Sequence, residues 1–344
     1  MKHMVPTSAQ SVPIDGQTKL RRYVFLALSS FSAFDLTAAI EALKDANRLH
    51  GRNVYAWRIL SVDGSGVTSS SGLRIDVDGG LEQLNRDDTL VVLNGDDFIA
   101  NATTRVLTWL GVQSRRVGRL GAISSGVYTV LKARAIRPAQ VAVHWTYRSG
   151  LQEAFSDIQI DRSVFNVSGT TFTCSGGLGT VDVMLHLIRE DHGLDLATSV
   201  SDSLICSTPR TMAHEQTFSQ MTRVGDRNWI VASAIELMQD KIEYPIPPSE
   251  IARKIGVSTR QLERLFSRHM NSTPKTYYMR LRMEQARNLL LQTNMQVIEV
   301  SVATGFNTPS HFSKIYRKHF GNSPHRERGF SATGLAPISV AKAA

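Results

Sequence analysis

The sequence predicts two domains, a doubly wound α/β domain followed by an all-α domain. With 344 residues, the chain exceeds the usual length of one domain. Over about the first 200 residues, short continuous apolar runs alternate with segments of helical spacing, which is typical of a parallel sheet covered on both faces. The last hundred or so residues carry two copies of one helical pattern, with Gly256 and Gly305 at matching positions.

In the first domain, strands are predicted where apolar runs are too short for a helix, and helices where apolar residues recur every three or four positions. The predicted strands are 23–28, 57–62, 90–93, 119–123, 158–160 and 171–173. The predicted helices are 34–49, 103–112, 127–135, 181–191 and 196–204. Ser124, Ser125 and Gly126 predict a sharp turn from strand to helix, and Ser168-Gly169 a turn between the last two strands. This alternation indicates an open sheet with helices on both faces.

Composition divides the chain into five segments. Residues 1–20 and 329–344 are expected to be disordered tails. The α/β domain takes residues 21–206 and the helical domain residues 226–328. The polar stretch 207–225, which contains Pro209 and Gly225, is the predicted linker.

The net charge of +9 is concentrated in the second domain. Residues 241–344 contain 16 Lys and Arg against 6 Asp and Glu, whereas residues 1–240 contain 23 against 24. A near-neutral body with a basic end suits a polyanionic partner on one side. Two cysteines are too few for a disulfide framework, no Cys/His cluster has zinc spacing, and no apolar run is as long as a signal peptide or a membrane span. We therefore expect a cytoplasmic protein with no metal, no cofactor and no membrane partner.

Each copy of the repeat has the pattern of a helix-turn-helix. A short helix ends at Gly256 or Gly305, which can take the positive φ of a tight turn. Ser258 or Asn307 can then cap the next helix. That helix turns a set of apolar residues towards a core, namely Leu262, Leu265, Phe266 and Met270 in the first copy and Phe312, Ile315, Tyr316 and Phe320 in the second.

The opposite face of each second helix carries the residues that we expect to contact DNA. Arg and Gln near the N-terminus of a recognition helix reach base edges in the major groove, and basic residues further along suit phosphates. The predicted DNA-binding residues are Ser258, Thr259, Arg260, Gln261, Arg264, Arg268, Asn307, Thr308, Ser310, His311, Lys314 and Lys318. The alternative is a basic, solvated helical bundle with no DNA role. Two copies with matching core, turn and basic positions argue against it.

A helix predicted at 277–292 separates the two copies. Sixteen residues span roughly 24 Å, so with its flanking turns this helix can hold the recognition helices about one DNA turn, roughly 34 Å, apart. Residues 226–328 resemble the DNA-binding domain of the AraC/XylS family. The resemblance rests on both turns, on the closing segment 320–324 and on a central stripe of Leu281, Ala286, Leu289 and Leu290. Where that family usually has an aromatic residue and then Arg after the final proline, this chain has His325-Arg-Glu-Arg328.

The α/β domain resembles the PfpI-type, class I glutamine amidotransferase-like domains, whose fold is flavodoxin-like. The resemblance is carried by the elbow at 123–126, by His144-Trp145 and by the segment 173–193 with its Gly176-Gly177 turn. In combination, the two domains are similar to the amidase-like AraC regulators that respond to glycine betaine, carnitine and similar amines. The resemblance implies a sensor for a quaternary amine or an amino-acid-like compound.

The elbow bears on whether this domain is an enzyme or a sensor. By resemblance, catalytic relatives carry a cysteine thiolate there, activated by a histidine and by the helix N-terminus. This chain has Ser124 instead, neither cysteine falls at the elbow, and no acid that would orient His144 is evident. We therefore predict no catalytic residues, together with a retained ligand pocket at the carboxyl ends of the strands.

Six residues at these strand ends are the candidate ligand contacts: Asn94, Asp96, Ser124, Ser125, His144 and Trp145. Serine hydroxyls and backbone N–H groups at the elbow can hold a carboxylate, and Trp145 or Phe31 can face a cationic head group. Each of three candidates also has a structural alternative. Trp145 can be a core residue, His144 can be a buried histidine with its hydrogen bonds made, and Asp96 can lie in a solvated loop. Cys174 is expected to be a small core residue.

The sequence thus predicts a sequence-specific DNA-binding transcription regulator, by resemblance an activator, that senses a small metabolite. Its expected partners are double-stranded promoter DNA, the small-molecule effector and RNA polymerase, and its N-terminal domain is expected to form a homodimer. Two alternatives stay open. One is an active amidase-like hydrolase fused to a DNA-binding domain, and the other is an architectural protein that binds DNA without a ligand.

Overall fold

A six-stranded sheet organises the N-terminal domain of the computed structural model, which describes residues 20–137, 140–216 and 229–331. The strands of this sheet are β1 (Arg21–Ala27), β2 (Tyr55–Leu60), β5 (Asp88–Leu93), β6 (Arg119–Ile123), β9 (Phe165–Ser168) and β10 (Thr171–Cys174). They lie in the order β2-β1-β5-β6-β10-β9, and every neighbouring pair is parallel except β9 with β10. The predicted flavodoxin-like, doubly wound α/β fold is confirmed.

Helices cover both faces of this sheet. They are α1 (Ala33–His50), α2 (Phe98–Asn101), α3 (Thr104–Gln113), α4 (Gly126–Lys132), α5 (Trp145–Ala154), α6 (Leu178–His192) and α7 (Leu194–Ser203). Strand β1 shows why the apolar runs are continuous. Its Tyr23 and Phe25 lie in one core, with residues of α1 and α6, whereas Val24 and Leu26 lie in a second core, with residues of α3 and α4. Because both faces are covered, every position in the middle of the strand is buried.

Short elements depart from the prediction. The turn at Ser168-Gly169 joins β9 to β10, whereas the predicted strand 158–160 corresponds to β8 (Gln159–Asp161), which pairs in parallel with β7 (Gln140–Ala142) outside the main sheet. The predictions did not include β7, β9, α2, α5 or the hairpin of β3 (Val67–Thr68) with β4 (Arg74–Ile75). Strands of two or three residues are too short for an alternating pattern to identify.

Helices are the regular secondary structure of the C-terminal domain over its described residues. Its helices are α8 (Trp229–Asp240), α9 (Pro248–Ile255), α10 (Thr259–Met270), α11 (Pro274–Gln292), α12 (Val297–Ala303), α13 (Pro309–Phe320) and α14 (Pro324–Ser331). Helices α9 and α10 form one helix-turn-helix unit and α12 and α13 the other, with α11 between them. Each unit has its own core, the first around Leu262 and Phe266 and the second around Phe312 and Tyr316.

Both predicted turn glycines have a left-handed backbone, with φ of 83° at Gly256 and 76° at Gly305. The caps differ between the copies. Ser258 accepts a hydrogen bond from the backbone N–H of Gln261, as predicted, but Thr308 and not Asn307 caps α13. The second copy has one residue more after its glycine, which moves the cap position along by one. The prediction for Asn307 as the cap was therefore wrong.

The predicted linker begins as part of the first domain. The His214 carbonyl accepts from the Val164 N–H at 3.0 Å, and Arg210 forms an ion pair with the buried carboxylate of Asp182 at 2.7 Å. Residues 217–225, the first three positions of the predicted second domain, and nearly all of both predicted tails lie outside the described residues; α14 itself continues to Ser331. Within the described ranges, no helix is both long and apolar enough to cross a membrane.

Candidate functional site

The elbow between β6 and α4 is a tight turn from strand to helix. Ser124 has a φ of 54°, and its N–H donates to the Cys174 carbonyl of the neighbouring strand at 2.8 Å. At Gly126, an added Cβ would lie 2.2 Å from the Val92 carbonyl oxygen, so only glycine lets α4 begin this close to β5. A positive φ at a residue other than glycine is uncommon and concentrates at functional sites. Cys174 itself is fully buried, as expected for a core residue.

A cavity of about 470 Å³, which we call the elbow pocket, opens beside this turn at the carboxyl ends of β5, β6 and β10. Both domains contribute to its wall. The first domain supplies Ser32, Asp35, Asp96, Ser124, His144, Thr146, Tyr147, Ser175 and Gly177, and α11 of the second domain supplies Asn288 and Gln292. The described lining is almost entirely polar, with hydroxyls, amides and carboxylates around the Tyr147 ring and the His144 imidazole.

The charge of the elbow pocket is negative, because its lining contains two carboxylates and, among the described residues, no Lys or Arg. Asp35 is only 3% exposed, and its Oδ1 accepts hydrogen bonds from the Gly177 N–H at 2.7 Å and the Thr180 hydroxyl at 3.1 Å. Burial raises the pKa of the Asp35 carboxyl, and these hydrogen bonds partly oppose that shift. Asp96 accepts from the Tyr147 hydroxyl at 3.0 Å. Such a pocket favours a cationic group.

His144 caps α5 at the edge of the elbow pocket. Its Nδ1 contacts the hydroxyl and the backbone N–H of Thr146. Burial lowers the pKa of His144, which favours a neutral ring at neutral pH. No carboxylate bonds this imidazole within the described part of the chain, so the arrangement in which an acid orients a catalytic histidine is not formed here.

The exposed faces of α10 and α13 form a second candidate binding surface, in the C-terminal domain. Arg260, Arg264 and Arg268 point away from the core of their helix, as do Lys314 and Lys318 in the second unit. None of these five side chains has an ion-pair partner among the described residues. By contrast, the α11 side chains Arg280 and Arg287 pair with Glu284 and Glu327. Unpaired basic groups on an exposed helix face suit phosphates and base edges.

Helix α11 is bound firmly to the second helix-turn-helix unit. The Arg282 guanidinium donates to the carbonyls of Thr304 and Gly305, both at 2.8 Å, and lies 4.1 Å above the Phe306 ring. Burial lowers the pKa of Arg282. Further along α11, Arg287 donates to the buried Glu327 of α14 at 2.7 Å. These contacts fix the position of α11 against the second unit.

Comparison with known proteins decides the family. Residues 251–329 match the helix-turn-helix domain model, and residues 21–190 match the DJ-1/PfpI family. The chain is 36% identical over 304 residues to the HTH-type transcriptional regulator GbdR of Pseudomonas aeruginosa, covering 88% of this chain and 83% of that protein. It is also 36% identical over 304 residues to the HTH-type transcriptional regulator CdhR of the same organism, covering 88% and 90%. The chain belongs to the AraC-type transcriptional regulators that carry a DJ-1/PfpI domain.

The fold of this AraC-type regulator also matches a solved structure. A THiJ/PfpI family protein from Pseudomonas syringae superposes with a TM-score of 0.51 at 16% identity, over 67% of this chain and 94% of that one. At that identity the match concerns the fold alone. Both family resemblances predicted from the sequence are confirmed.

Three of the six candidate ligand contacts of the AraC-type regulator, Asp96, Ser124 and His144, meet in the elbow pocket. Asn94 and Ser125 are buried and bonded elsewhere, with the Asn94 amide donating to the Thr129 hydroxyl at 2.9 Å and the Ser125 hydroxyl to the Gly95 carbonyl at 2.9 Å. They support the turns on which the pocket is built.

The aromatic candidates lie outside the elbow pocket. Trp145 lines a larger cleft between the domains, and Phe31 is fully buried. Sequence reasoning missed Asp35, Tyr147 and Gln292. Asp35 lies in the first turn of α1, the helix that follows β1, and a carboxylate at the start of that helix was the available signal.

Eleven of the twelve predicted DNA contacts of the regulator fall on α10, α13 and their N-terminal caps, and Asn307 directly precedes the cap of α13. Ten of the twelve are exposed, while Thr259 and Gln261 are partly buried. The His311 ring packs edge-on against Phe306. The two helices present these residues to solvent, on the side opposite the apolar residues that form each core.

Proposed function

We propose that this AraC-type regulator binds promoter DNA through both helix-turn-helix units and senses a small amine-containing metabolite in the elbow pocket. The observation that carries the proposal is the pair of recognition helices with unpaired basic faces, mounted at either side of α11. A helix of 19 residues is roughly 28 Å long, which is close to the spacing of successive major-groove segments on one face of DNA. One protomer can then contact both segments.

The chemistry of the elbow pocket supports a cationic, amino-acid-like effector. The carboxylates of Asp35 and Asp96 suit an ammonium group, since a partly buried charge needs a partner of opposite sign. The hydroxyls of Ser32, Ser124 and Ser175 can donate to the carboxylate at the other end of such a molecule. Among the described lining residues, Tyr147 is the one phenol or indole ring available for cation–π contact, which is fewer than the several rings of an aromatic cage.

We further propose that the first domain senses and does not hydrolyse. Ser124 lies on the elbow, but the neighbouring His144 has its Nδ1 directed to Thr146 and not to an acid. A serine hydroxyl without an oriented base is a weak nucleophile. Turnover of an amide substrate that disappears in Ser124→Ala would favour the hydrolase alternative. From the family resemblance, the proposal extends to a homodimer formed by the N-terminal domains and to activation through RNA polymerase.

Selection from random duplex DNA tests the DNA-binding proposal. The full chain is expected to enrich a motif with two half-sites whose centres are about 10 base pairs apart, because two helices joined by α11 reach successive major grooves. Sequencing of the enriched duplexes measures this directly. An architectural protein would return no motif and would show an affinity governed by salt alone. A motif with only one half-site would contradict the tandem arrangement.

Replacing Asp35 with asparagine is expected to change the affinity for amine ligands without lowering the free energy of unfolding. We expect Asp35→Asn to weaken binding of amine ligands by about 10- to 100-fold, since a hydrogen bond to a charged group is lost. The free energy of unfolding should stay the same or increase, because a buried carboxylate no longer has to be desolvated. Calorimetric titration with glycine and its mono-, di- and trimethylated forms, together with urea unfolding, measures the two effects.

Asp157→Asn, at an exposed position outside the elbow pocket, is the matched control and should change neither quantity.

The pH dependence of amine binding is a further test of the role of Asp35. Because burial raises the pKa of Asp35, amine binding should weaken on acidification at a higher pH than an ordinary aspartate would give. In Asp35→Asn, that part of the pH dependence should disappear. Equal binding to the wild type and to Asp35→Asn at neutral pH would exclude Asp35 as the anionic contact.

A further inference from the structure

The guanidinium of Arg282 in α11 binds the backbone of the turn in the second helix-turn-helix unit. Its Nε donates to the Thr304 carbonyl and its Nη2 to the Gly305 carbonyl, both at 2.8 Å. Hydrogen bonds from a charged donor are stronger than those between neutral groups. Burial lowers the pKa of Arg282, as expected for a cation that is partly removed from water. Arg282 therefore fixes the path of the chain between α12 and α13.

The same guanidinium lies against the Phe306 ring, and that ring reaches the recognition helix. The Cζ atom of Arg282 is 4.1 Å from the centroid of the buried Phe306 ring. Phe306 in turn packs edge-on against His311, with the two ring centroids 5.6 Å apart. His311 belongs to the first turn of α13 and is exposed. A row of three side chains, Arg282, Phe306 and His311, thus runs from α11 to the surface of the recognition helix.

The matching positions of the first unit are of another chemical type. With Gly256 aligned on Gly305, Val257 takes the place of Phe306. After the inserted residue of the second copy, Gln261 takes the place of His311. Valine offers no ring face to a guanidinium and no π-system to an imidazole edge. The two units therefore do not orient the first turn of their recognition helices by the same contacts.

We propose that Arg282 is a positioning residue for DNA recognition, which sets the orientation of the His311 imidazole and with it the base preference of the second half-site. This inference rests on the proposed binding of promoter DNA by both units. An imidazole N–H can donate to the N7 or O6 acceptor of guanine, and such a bond depends strongly on its angle. In this arrangement His311 contacts the base, and Arg282 acts through Phe306 and the turn.

Anisotropy titrations of the full chain test the proposal, with the selected duplex and with duplexes changed one base pair at a time. Arg282→Lys keeps the positive charge, but a lysine ammonium cannot bond both carbonyls and stack on the ring as the planar guanidinium does. It is expected to reduce discrimination at the base pair read by His311 by about 3- to 10-fold, with the first half-site changed by less than about 2-fold. His311→Ala identifies that base pair by abolishing its discrimination. Adding Arg282→Lys to His311→Ala should then cost nothing more there.

Lys314 offers a matched control, because it is exposed one turn further along α13 and lies outside the row. The losses from Arg282→Lys and Lys314→Ala should multiply to within about 2-fold, as for independent sites. Hydrogen exchange of peptides from residues 297–320 checks that the second unit stays folded. Phe306→Leu is a second variant with the same expected loss of discrimination, since it keeps an apolar residue in the core and removes the ring.

The possible outcomes distinguish this inference from the proposed function. Discrimination that stays unchanged in Arg282→Lys and in Phe306→Leu overturns the inference alone. Losses from Arg282→Lys that multiply with His311→Ala, as they do with Lys314→Ala, make Arg282 a structural residue only and also overturn it. If His311→Ala has no effect but Arg260→Ala does, His311 reads no base and the inference again fails by itself. Selection that returns no motif overturns the proposed DNA recognition and the inference with it.

Discussion

Replacing Gly305 with alanine is expected to destabilise the second helix-turn-helix unit by about 2–5 kcal/mol. A left-handed backbone costs an L-residue roughly 1–2 kcal/mol, and Gly305 has a φ of 76°. An added Cβ would also lie 2.6 Å from Pro245 Cδ and 2.7 Å from the Ile242 carbonyl oxygen, a clash of the kind that costs about 1–3 kcal/mol. Hydrogen exchange of peptides from residues 297–320 measures the effect locally.

Gly256 offers a matched control from the other copy of the repeat. It has a similar φ of 83°, but nothing lies within 4 Å of an added Cβ. Gly256→Ala is therefore expected to cost only the backbone term of roughly 1–2 kcal/mol, in peptides from residues 248–270. Equal costs at the two glycines would mean that the approach of Gly305 to Pro245 is not as close as described. A smaller loss at Gly305 than at Gly256 would contradict the packing argument outright.

Removing Arg260 or Arg264 is expected to weaken binding to the selected DNA by about 1–3 kcal/mol each, and only at the half-site that α10 reads. A bidentate contact between an arginine and a base contributes about that much to discrimination against other bases. Fluorescence anisotropy on duplexes with one or the other half-site scrambled, at one fixed salt concentration, measures the loss. Because the guanidiniums of Arg260 and Arg264 have no ion-pair partners among the described residues, the change breaks no ion pair described in the structure.

Arg253→Ala is the control for charge, because Arg253 is 76% exposed on α9 but lies outside the recognition helix. It should lower affinity little and without regard to which half-site is intact. Uniform weakening of all duplexes by Arg260→Ala, with a smaller dependence of affinity on salt, would instead make that residue a phosphate contact. Unchanged binding would remove α10 from the interface.

The strands, helices and helix-turn-helix units could be predicted from the sequence because each depends on a pattern among neighbouring residues, and the helix-turn-helix pattern occurs twice. Strand β1 has an apolar run too short for a helix, and the two helix-turn-helix units repeat one pattern of glycine, cap and apolar spacing. The elbow was also predictable, since Ser124, Ser125 and Gly126 stand directly between a strand and a helix. In each case, the information lies within about twenty neighbouring residues.

The elbow pocket was only partly predictable, because its residues come together from distant parts of the chain. Asp35 lies in the first turn of α1 and Ser124 at the end of β6, while Gln292 reaches the pocket from another domain. No local pattern distinguishes Asp96, which lines the pocket, from Asn94, whose amide is turned inwards to Thr129. Both are polar residues just after a buried strand, and only the packing of α4 decides which way each one faces.

The separate cores of the two helix-turn-helix units have a consequence for how the regulator leaves DNA. Because α11 joins the units, a unit that releases its half-site stays a few ångströms away and meets it again at a high effective concentration. The lifetime of the complex then depends on the chance that both units are released at once. A small rotation of one unit about α11 would turn bivalent binding into monovalent binding, and would shorten that lifetime without altering any residue that touches a base.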